Sequence, residues 1–344
     1  MTGAANAAIA AGFVGNPQPL SASGSGFTYY FNADPQAQAA ANSSNDDGVK
    51  RFVASPDGAG SGFENDFGAL GYVSPIKAPP KPPPQPRDWL AWIDVRGTQF
   101  NRSLSANAND LFGSQVDVIA GLTHRFTPDF LVGALGGYEH FDFTSQALGS
   151  RLKGDAWTTG AYFGWRLTEH IRFDTTATWS DVSAGGFADA AVGNFTGQRW
   201  LVASGLTGTY VWQSLEFQPS AQVYALWEHD NAFVDSLGTP QDSNNFSTGR
   251  ASGGLKVTRP WPWSSTVNLG PYVGLYGDYY FSRENTGAVG LTTVPLLQGW
   301  SARVTGGLLM AFKTGATVNV SAEFGGLGSN TQIWTYIARG SVPF

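Results

Sequence analysis

The sequence predicts an all-β fold class: a twelve-stranded antiparallel transmembrane β-barrel over residues 88–344, preceded by a mostly irregular N-terminal segment (1–74) and a proline-rich linker (75–87). Three observations carry the prediction. Segments with a period of two recur at intervals of about 20 residues from Asp88 to the end, as strands with one apolar and one polar face do. The connections between them alternate between short and long, which fits turns at one end of a barrel and loops at the other. Aromatic residues gather towards both ends of the segments, at the headgroup levels of a bilayer.

Composition narrows the setting. Charged residues make up 13% of the chain, about half the share of an ordinary soluble domain, while aromatics reach 14% and glycines number 44. There is no cysteine, which removes disulfide frameworks and thiol chemistry. The net charge of -6 is modest and no basic cluster marks a nucleic-acid footprint, so nucleic acid is not an expected partner. No apolar run approaches the roughly 18 residues of a membrane helix, so a membrane crossing has to be made by strands. Met1 to Gly15 has a weakly apolar stretch with no basic residue ahead of it and does not read as a secretory signal. An outer-membrane protein needs such a signal, and the expectation is a mature or truncated chain with an added Met1.

Residues 1–74 are rich in Ala, Gly, Ser and Asn without a sustained period. Asp34 as a cap, Pro35 at the first position and Gln36 to Ala41 suggest one short helix. Residues 75–87 hold Pro75, Pro79, Pro80, Pro82, Pro83, Pro84 and Pro86. That density excludes helix and sheet ladder and favours an extended polyproline II rod, placing the domain boundary here.

The strands then follow in order. Ala91, Ile93, Val95 and Gly97 alternate with Trp92, Asp94, Arg96 and Thr98. Val116, Val118, Ala120 and Leu122 alternate with Asp117, Gly121, Thr123 and Arg125. Leu131 to Phe143 alternates too ambiguously to assign faces. Trp157, Thr159, Ala161, Phe163 and Trp165 oppose Thr158, Gly160, Tyr162 and Arg166. Ile171, Phe173, Ala177 and Trp179 oppose Arg172, Asp174, Thr176 and Thr178. Trp200, Val202, Leu206 and Tyr210 face away from Arg199, Thr207 and Thr209, and Leu215, Phe217, Ala221, Val223 and Trp227 from Glu216, Gln222, Tyr224 and Glu228. Ala251, Leu255 and Val257 stand against Arg250, Ser252 and Lys256; Leu269, Val273 and Leu275 against Asn268, Tyr272 and Tyr276. Trp300, Val304, Leu308 and Met310 oppose Ser301, Arg303 and Thr305, and Val318, Val320, Ala322 and Phe324 oppose Asn319, Ser321 and Glu323. In the last strand Trp334, Tyr336, Ala338, Gly340, Val342 and Phe344 share one parity, with Thr335, Arg339 and Ser341 on the other. A final strand of this kind resembles the C-terminal assembly signal of bacterial outer-membrane β-barrels, with Trp334, Tyr336, Val342 and Phe344 as its apolar face.

Connections after even-numbered strands are short: Thr127 to Asp129, Thr168 to His170, Gln213 to Ser214, Arg259 to Ser265 and Lys313 to Gly315. Those after odd-numbered strands are mostly long and polar: Arg102 to Asp110, Ser145 to Lys153, Asp181 to Asn194, His229 to Asn245 and Ser282 to Leu296. A soluble sandwich also alternates along its strands but mixes loop lengths between its ends. The aromatics divide likewise. Trp89, Phe126, Trp165, Phe173, Trp212, Trp261, Trp263, Phe312 and Phe344 fall near the short turns; Phe100, Phe141, Trp157, Trp179, Trp200, Trp227, Tyr279, Phe281, Trp300 and Phe324 fall near the long loops. Two such bands read as interfacial girdles.

Residues 88–344 resemble the C-terminal translocator domain of the autotransporters, the type V secreted proteins of Gram-negative bacteria. The stretches that carry the resemblance are GDAWTTGAYFGWRLT (154–168), RWLVASGLTGTY (199–210) and the terminal ARGSVPF, together with twelve strands ending in Phe344. The resemblance implies an outer-membrane protein with extracellular long loops that carries or anchors an upstream passenger, of which residues 1–74 are a remnant. It also implies the barrel-assembly machinery and periplasmic chaperones as partners besides the lipid bilayer, with the barrel a monomer. The family usually places a helix in the pore just before the first strand, and the proline run departs from that pattern.

Candidate chemistry is sparse. His124, His140, His170 and His229 lie on different strands or turns without ligand spacing, so no metal or cofactor is expected. Glu228, His229 and Asp230 adjoin a long loop, but neighbours on a strand point to opposite faces, and a solvated rim is the simpler reading. The inward charges are Asp94, Arg96, Asp117, Arg125, Arg172, Asp174, Arg199, Glu228, Arg250, Arg303 and Glu323. They need water or partners, since a charge facing lipid near the midplane costs roughly 2 to 4 kcal/mol. The expectation is a non-enzymatic translocator whose linker threads the pore, with Lys77, Lys81 and Arg87 available to inward carboxylates such as Asp94 or Glu323. The rival readings are a porin or channel, and an adhesin or enzyme barrel acting through its long loops.

Overall fold

The computed structural model describes residues 88–105, 109–284 and 291–344; the short helix expected after Asp34, the linker and its Lys77, Lys81 and Arg87 lie outside them. Twelve long strands run up and down: β1 (Trp89–Arg102), β2 (Leu111–Thr127), β3 (Phe130–Ser145), β4 (Ser150–Arg166), β5 (Ile171–Ala188), β6 (Ala191–Gly208), β7 (Leu215–Asp230), β8 (Asn244–Thr258), β9 (Val267–Glu284), β10 (Gly299–Phe312), β11 (Thr317–Leu327) and β12 (Thr331–Pro343). Each pairs antiparallel with its neighbours in sequence. β12 also pairs with β1, from Leu90 opposite Pro343 to Arg102 opposite Thr331, so the sheet closes on itself and leaves no unpaired edge.

Parity decides what each side chain meets. On β1, Ile93 and Val95 are exposed on the outer wall while Trp92 and Asp94 are buried inside. The same division holds at β12, where Trp334, Tyr336, Val342 and Phe344 are exposed and Thr335 and Ser341 buried. Outward aromatics such as Trp157, Trp200 and Trp300 stand at the long-loop end, and Trp165, Trp212, Trp261 and Trp263 at the short-turn end. The two-residue turn Gln213–Ser214 has both residues at positive φ (47° and 65°), the pair of left-handed positions of a type I′ hairpin.

Two expectations need correction. Ser145 to Lys153 and Asp181 to Asn194 are not irregular loops: β3 and β4 stay paired up to Ser145 opposite Ser150, and β5 and β6 up to Ala188 opposite Ala191. Above the lipid neither face must be apolar, so the period-two pattern fades there while the backbone ladder continues. Phe100 and Phe141 belong to the interior and not to the girdle. Phe141 is fully buried and stacks on Phe143 at 5.7 Å, and Phe100 meets Phe143 edge-on at 6.3 Å. The ambiguous pattern of β3 has the same cause: its inward face carries Leu131, Leu135, Phe141 and Phe143, all buried.

Small residues make room for those inward aromatics. A Cβ on Gly133 would lie 2.2 Å from the Tyr162 ring, and one on Gly121 would lie 2.4 Å from Trp92. The two rings are joined, Trp92 Nε1 donating to the Tyr162 hydroxyl at 2.6 Å.

Candidate functional site: the charged lumen

Inward parity brings the charged residues together inside the barrel, where they pair both along and across strands. Towards the short turns, Arg339 Nε and Nη2 donate to Asp94 Oδ2 at 2.8 and 2.5 Å, with Arg96 at 3.9 Å from Oδ1. Arg172 makes a two-pronged pair with Asp174 at 2.6 and 3.1 Å, and Arg125 reaches Asp88 at 3.4 Å. At mid-height Arg303 Nε donates to Asp278 at 2.9 Å and its Nη1 to Glu323 at 2.5 Å, while its guanidinium lies 4.4 Å from the centre of the Tyr276 ring. Arg250 sits between Tyr224 and Tyr280, 5.5 and 5.8 Å from their centres, and 3.8 Å from Asp278. Asp117 accepts from Gln115 at 3.0 Å.

The deepest cluster lies towards the long loops. Arg199 on β6, almost fully buried, donates to Glu139 on β3 at 2.8 Å and to Glu228 on β7 at 2.5 Å. The hydroxyl of Thr293, from the connection between β9 and β10, bonds Glu228 and accepts from Arg199 Nη2 at 3.3 Å. Two apolar clusters flank it. Leu291 packs on Leu111, Phe141, Phe143 and their neighbours, and Val294 and Leu296 pack on the group formed by Leu201, Ala203, Leu226 and Phe246.

The eleven charges named from the sequence are buried or half-buried, as are Glu139, Asp278 and Arg339, which are not among them. The parity of β9 and β12 signals Asp278 and Arg339; nothing local signals Glu139, because β3 offers no polar face to read. His229 bonds Asn245 at 2.8 Å on the exposed side while Asp230 is buried, so strand alternation does separate them. His140 bonds Asp155 at 2.8 Å, with both side chains about half exposed. Among the described residues no group of three or more His, Cys, Asp or Glu could hold a metal ion. With arginines set against carboxylates, the wall offers polar groups whose charge is locally balanced.

A twelve-strand barrel of this kind can still be several things, and comparison decides among them. The autotransporter β-domain family profile matches residues 91–323. The chain belongs to the autotransporter β-domain family. Solved structures agree in fold. The β-domain of the Bordetella autotransporter BrkA superposes with a TM-score of 0.60 at 16% identity, over 75% of this chain and all of that one. The translocator domain of NalP from Neisseria meningitidis gives 0.62 at 11%, over 75% and 89%. The transport unit of AIDA-I from Escherichia coli gives 0.54 at 13%, over 74% and 90%. Among curated proteins no relative matches. This β-domain is thus a membrane-embedded barrel of the outer membrane serving an upstream passenger. Its outer wall fits that setting: Val273, Leu275, Val320 and Val342, between the aromatic bands, are all more than half exposed.

Proposed function

We propose that the β-domain passes the chain preceding Asp88 outward through its lumen and then anchors it, with the long loops extracellular and no catalytic role of its own. The observation that carries this reading is the family match over a barrel closed between β1 and β12. β1 starts at the short-turn end, the end that faces the periplasm in outer-membrane barrels generally. The linker is long enough to cross. Thirteen residues (75–87) at about 3.1 Å each reach roughly 40 Å against a hydrocarbon band of about 25 Å. Lys77, Lys81 and Arg87 pass Asp94 and Glu323, whose arginine partners leave a balanced wall along which a cationic segment slides without being trapped. Insertion uses the barrel-assembly machinery, reached by way of periplasmic chaperones, which reads Trp334, Tyr336, Val342 and Phe344; these four side chains share the exposed face of β12. An epitope at residue 60 tests the proposal. Antibody labelling on intact cells is expected; labelling only after permeabilisation of the outer membrane would leave a channel or adhesin.

A further inference from the structure

Residues 291–298 do not lie over the barrel mouth as a surface loop; they run through it. Thr293, fully buried, is bonded to Arg199 and Glu228 on β6 and β7. Three residues later the Leu296 carbonyl accepts from Arg102 Nη1 on β1 at 2.9 Å, and Gln298 Nε2 donates to the Ser282 carbonyl on β9 at 3.1 Å. In a closed ring of twelve, β1 and β7 stand opposite each other, so a segment held by both crosses the lumen. The dimensions allow it. Twelve strands about 4.8 Å apart and tilted by about 40° close to a ring about 24 Å across; the three residues from Thr293 to Leu296 span at most about 11 Å, and the side chains of Arg199, Glu228 and Arg102 reach in from the two walls to meet them. The crossing is packed as well as tied: Leu291 fills one apolar cluster, Val294 and Leu296 the other, and these clusters draw side chains from β2 to β8. Inward side chains on both walls consume part of the ring's width, and a seated segment narrows what they leave open.

We propose that residues 291–298 are an intrachain seal that closes the lumen when no polypeptide is in transit, and that a passing chain displaces them from the Arg199–Glu228 cluster. The lumen is then shut from the loop side by residues 291–298 of the connection between β9 and β10. The seal follows from the barrel's geometry alone. Its failure would leave the translocator reading standing, just as failed surface labelling at residue 60 would leave the seal standing.

The test is conductance of the full chain in planar bilayers, against a variant in which residues 291–298 are replaced by alternating Gly and Ser. Wild type is expected to stay closed and the variant to show discrete openings. A wild type that conducts steadily, or a variant as silent as wild type while still heat-modifiable on gels, overturns the proposal. A second measurement covers a variant that does not fold. The chain has no cysteine, so Thr293→Cys can be labelled alone. A water-soluble maleimide is expected to react only after denaturation, and rapid reaction in the folded protein would show the segment unseated.

Discussion

Arg199→Met isolates the energetic role of the lumen cluster. The substitution keeps most of the side-chain volume and removes the one cation between Glu139 and Glu228. The Arg199 side chain is 2% exposed and those of its partners 3% and 0%, so two carboxylates are left without their counter-charge in a site with little water. Breaking a buried pair on one side costs about 3 to 5 kcal/mol, because the remaining charge keeps its desolvation penalty and loses its compensation. Arg125→Met is the internal control. Its partner Asp88 lies 3.4 Å away and is 45% exposed, and pairs of that kind are worth about 0 to 1 kcal/mol. Urea unfolding of both variants in lipid vesicles, followed by the fluorescence of the 12 tryptophans, should separate them by several kcal/mol. The triple variant Arg199→Met, Glu139→Gln, Glu228→Gln should recover most of the loss, since it removes the orphaned charges along with the pair. A loss below about 1 kcal/mol for Arg199→Met, equal to that for Arg125→Met, would refute the reasoning. It would mean that water reaches both carboxylates and that neither the apolar clusters nor residues 291–298 exclude it.

Tyr336→Asp with Phe344→Asp should abolish outer-membrane levels in cells while leaving refolding in detergent largely intact. Acidic residues on a lipid face cost less than the roughly 2 to 4 kcal/mol of an arginine, so the failure would lie in recognition of the terminal strand and not in barrel stability; equal loss in both assays would contradict that. The loop between β7 and β8 is ordered by Asp235, whose carboxylate accepts from the amides of Thr239 and Leu237 at 2.9 Å each and from Gln241 at 2.9 Å. The Thr239 amide first, then Gln241 and the Leu237 amide, hold this carboxyl below the usual range, against an opposing effect of burial second in size only to the Thr239 amide. A depressed folded value means that the stabilisation is present above the unfolded pKa of about 3.9 and is lost as pH falls through the lower folded one. Amide exchange at Leu237 and Thr239 should therefore accelerate only in strong acid beyond the intrinsic pH trend, and Asp235→Asn should remove that extra step. An unchanged pH dependence in the variant would count against it.

The sequence by itself determined the closed architecture. Lipid demands apolar groups outside and tolerates charge only inside, so period-two alternation specified which side chains of eleven strands share a face. The sequence also named Asp94, Arg199, Glu228 and Arg303 as inward, because parity is a local property. Tertiary structure alone decided the rest. β3 carries apolar side chains on both faces because its inner face packs the loop-end cluster, so no alternation survived to be read and Glu139 went unnoticed. The extensions of β3 to β6 beyond the lipid are held by backbone ladders that impose no composition on their side chains. The partners inside the lumen, Arg199 with Glu139 60 residues away and with Thr293 94 residues away, are chosen by the curvature of the closed sheet and by the path of one loop across it. A two-residue period carries the sign of a side chain's direction, inward or outward, and holds no information about which opposite wall that side chain will meet.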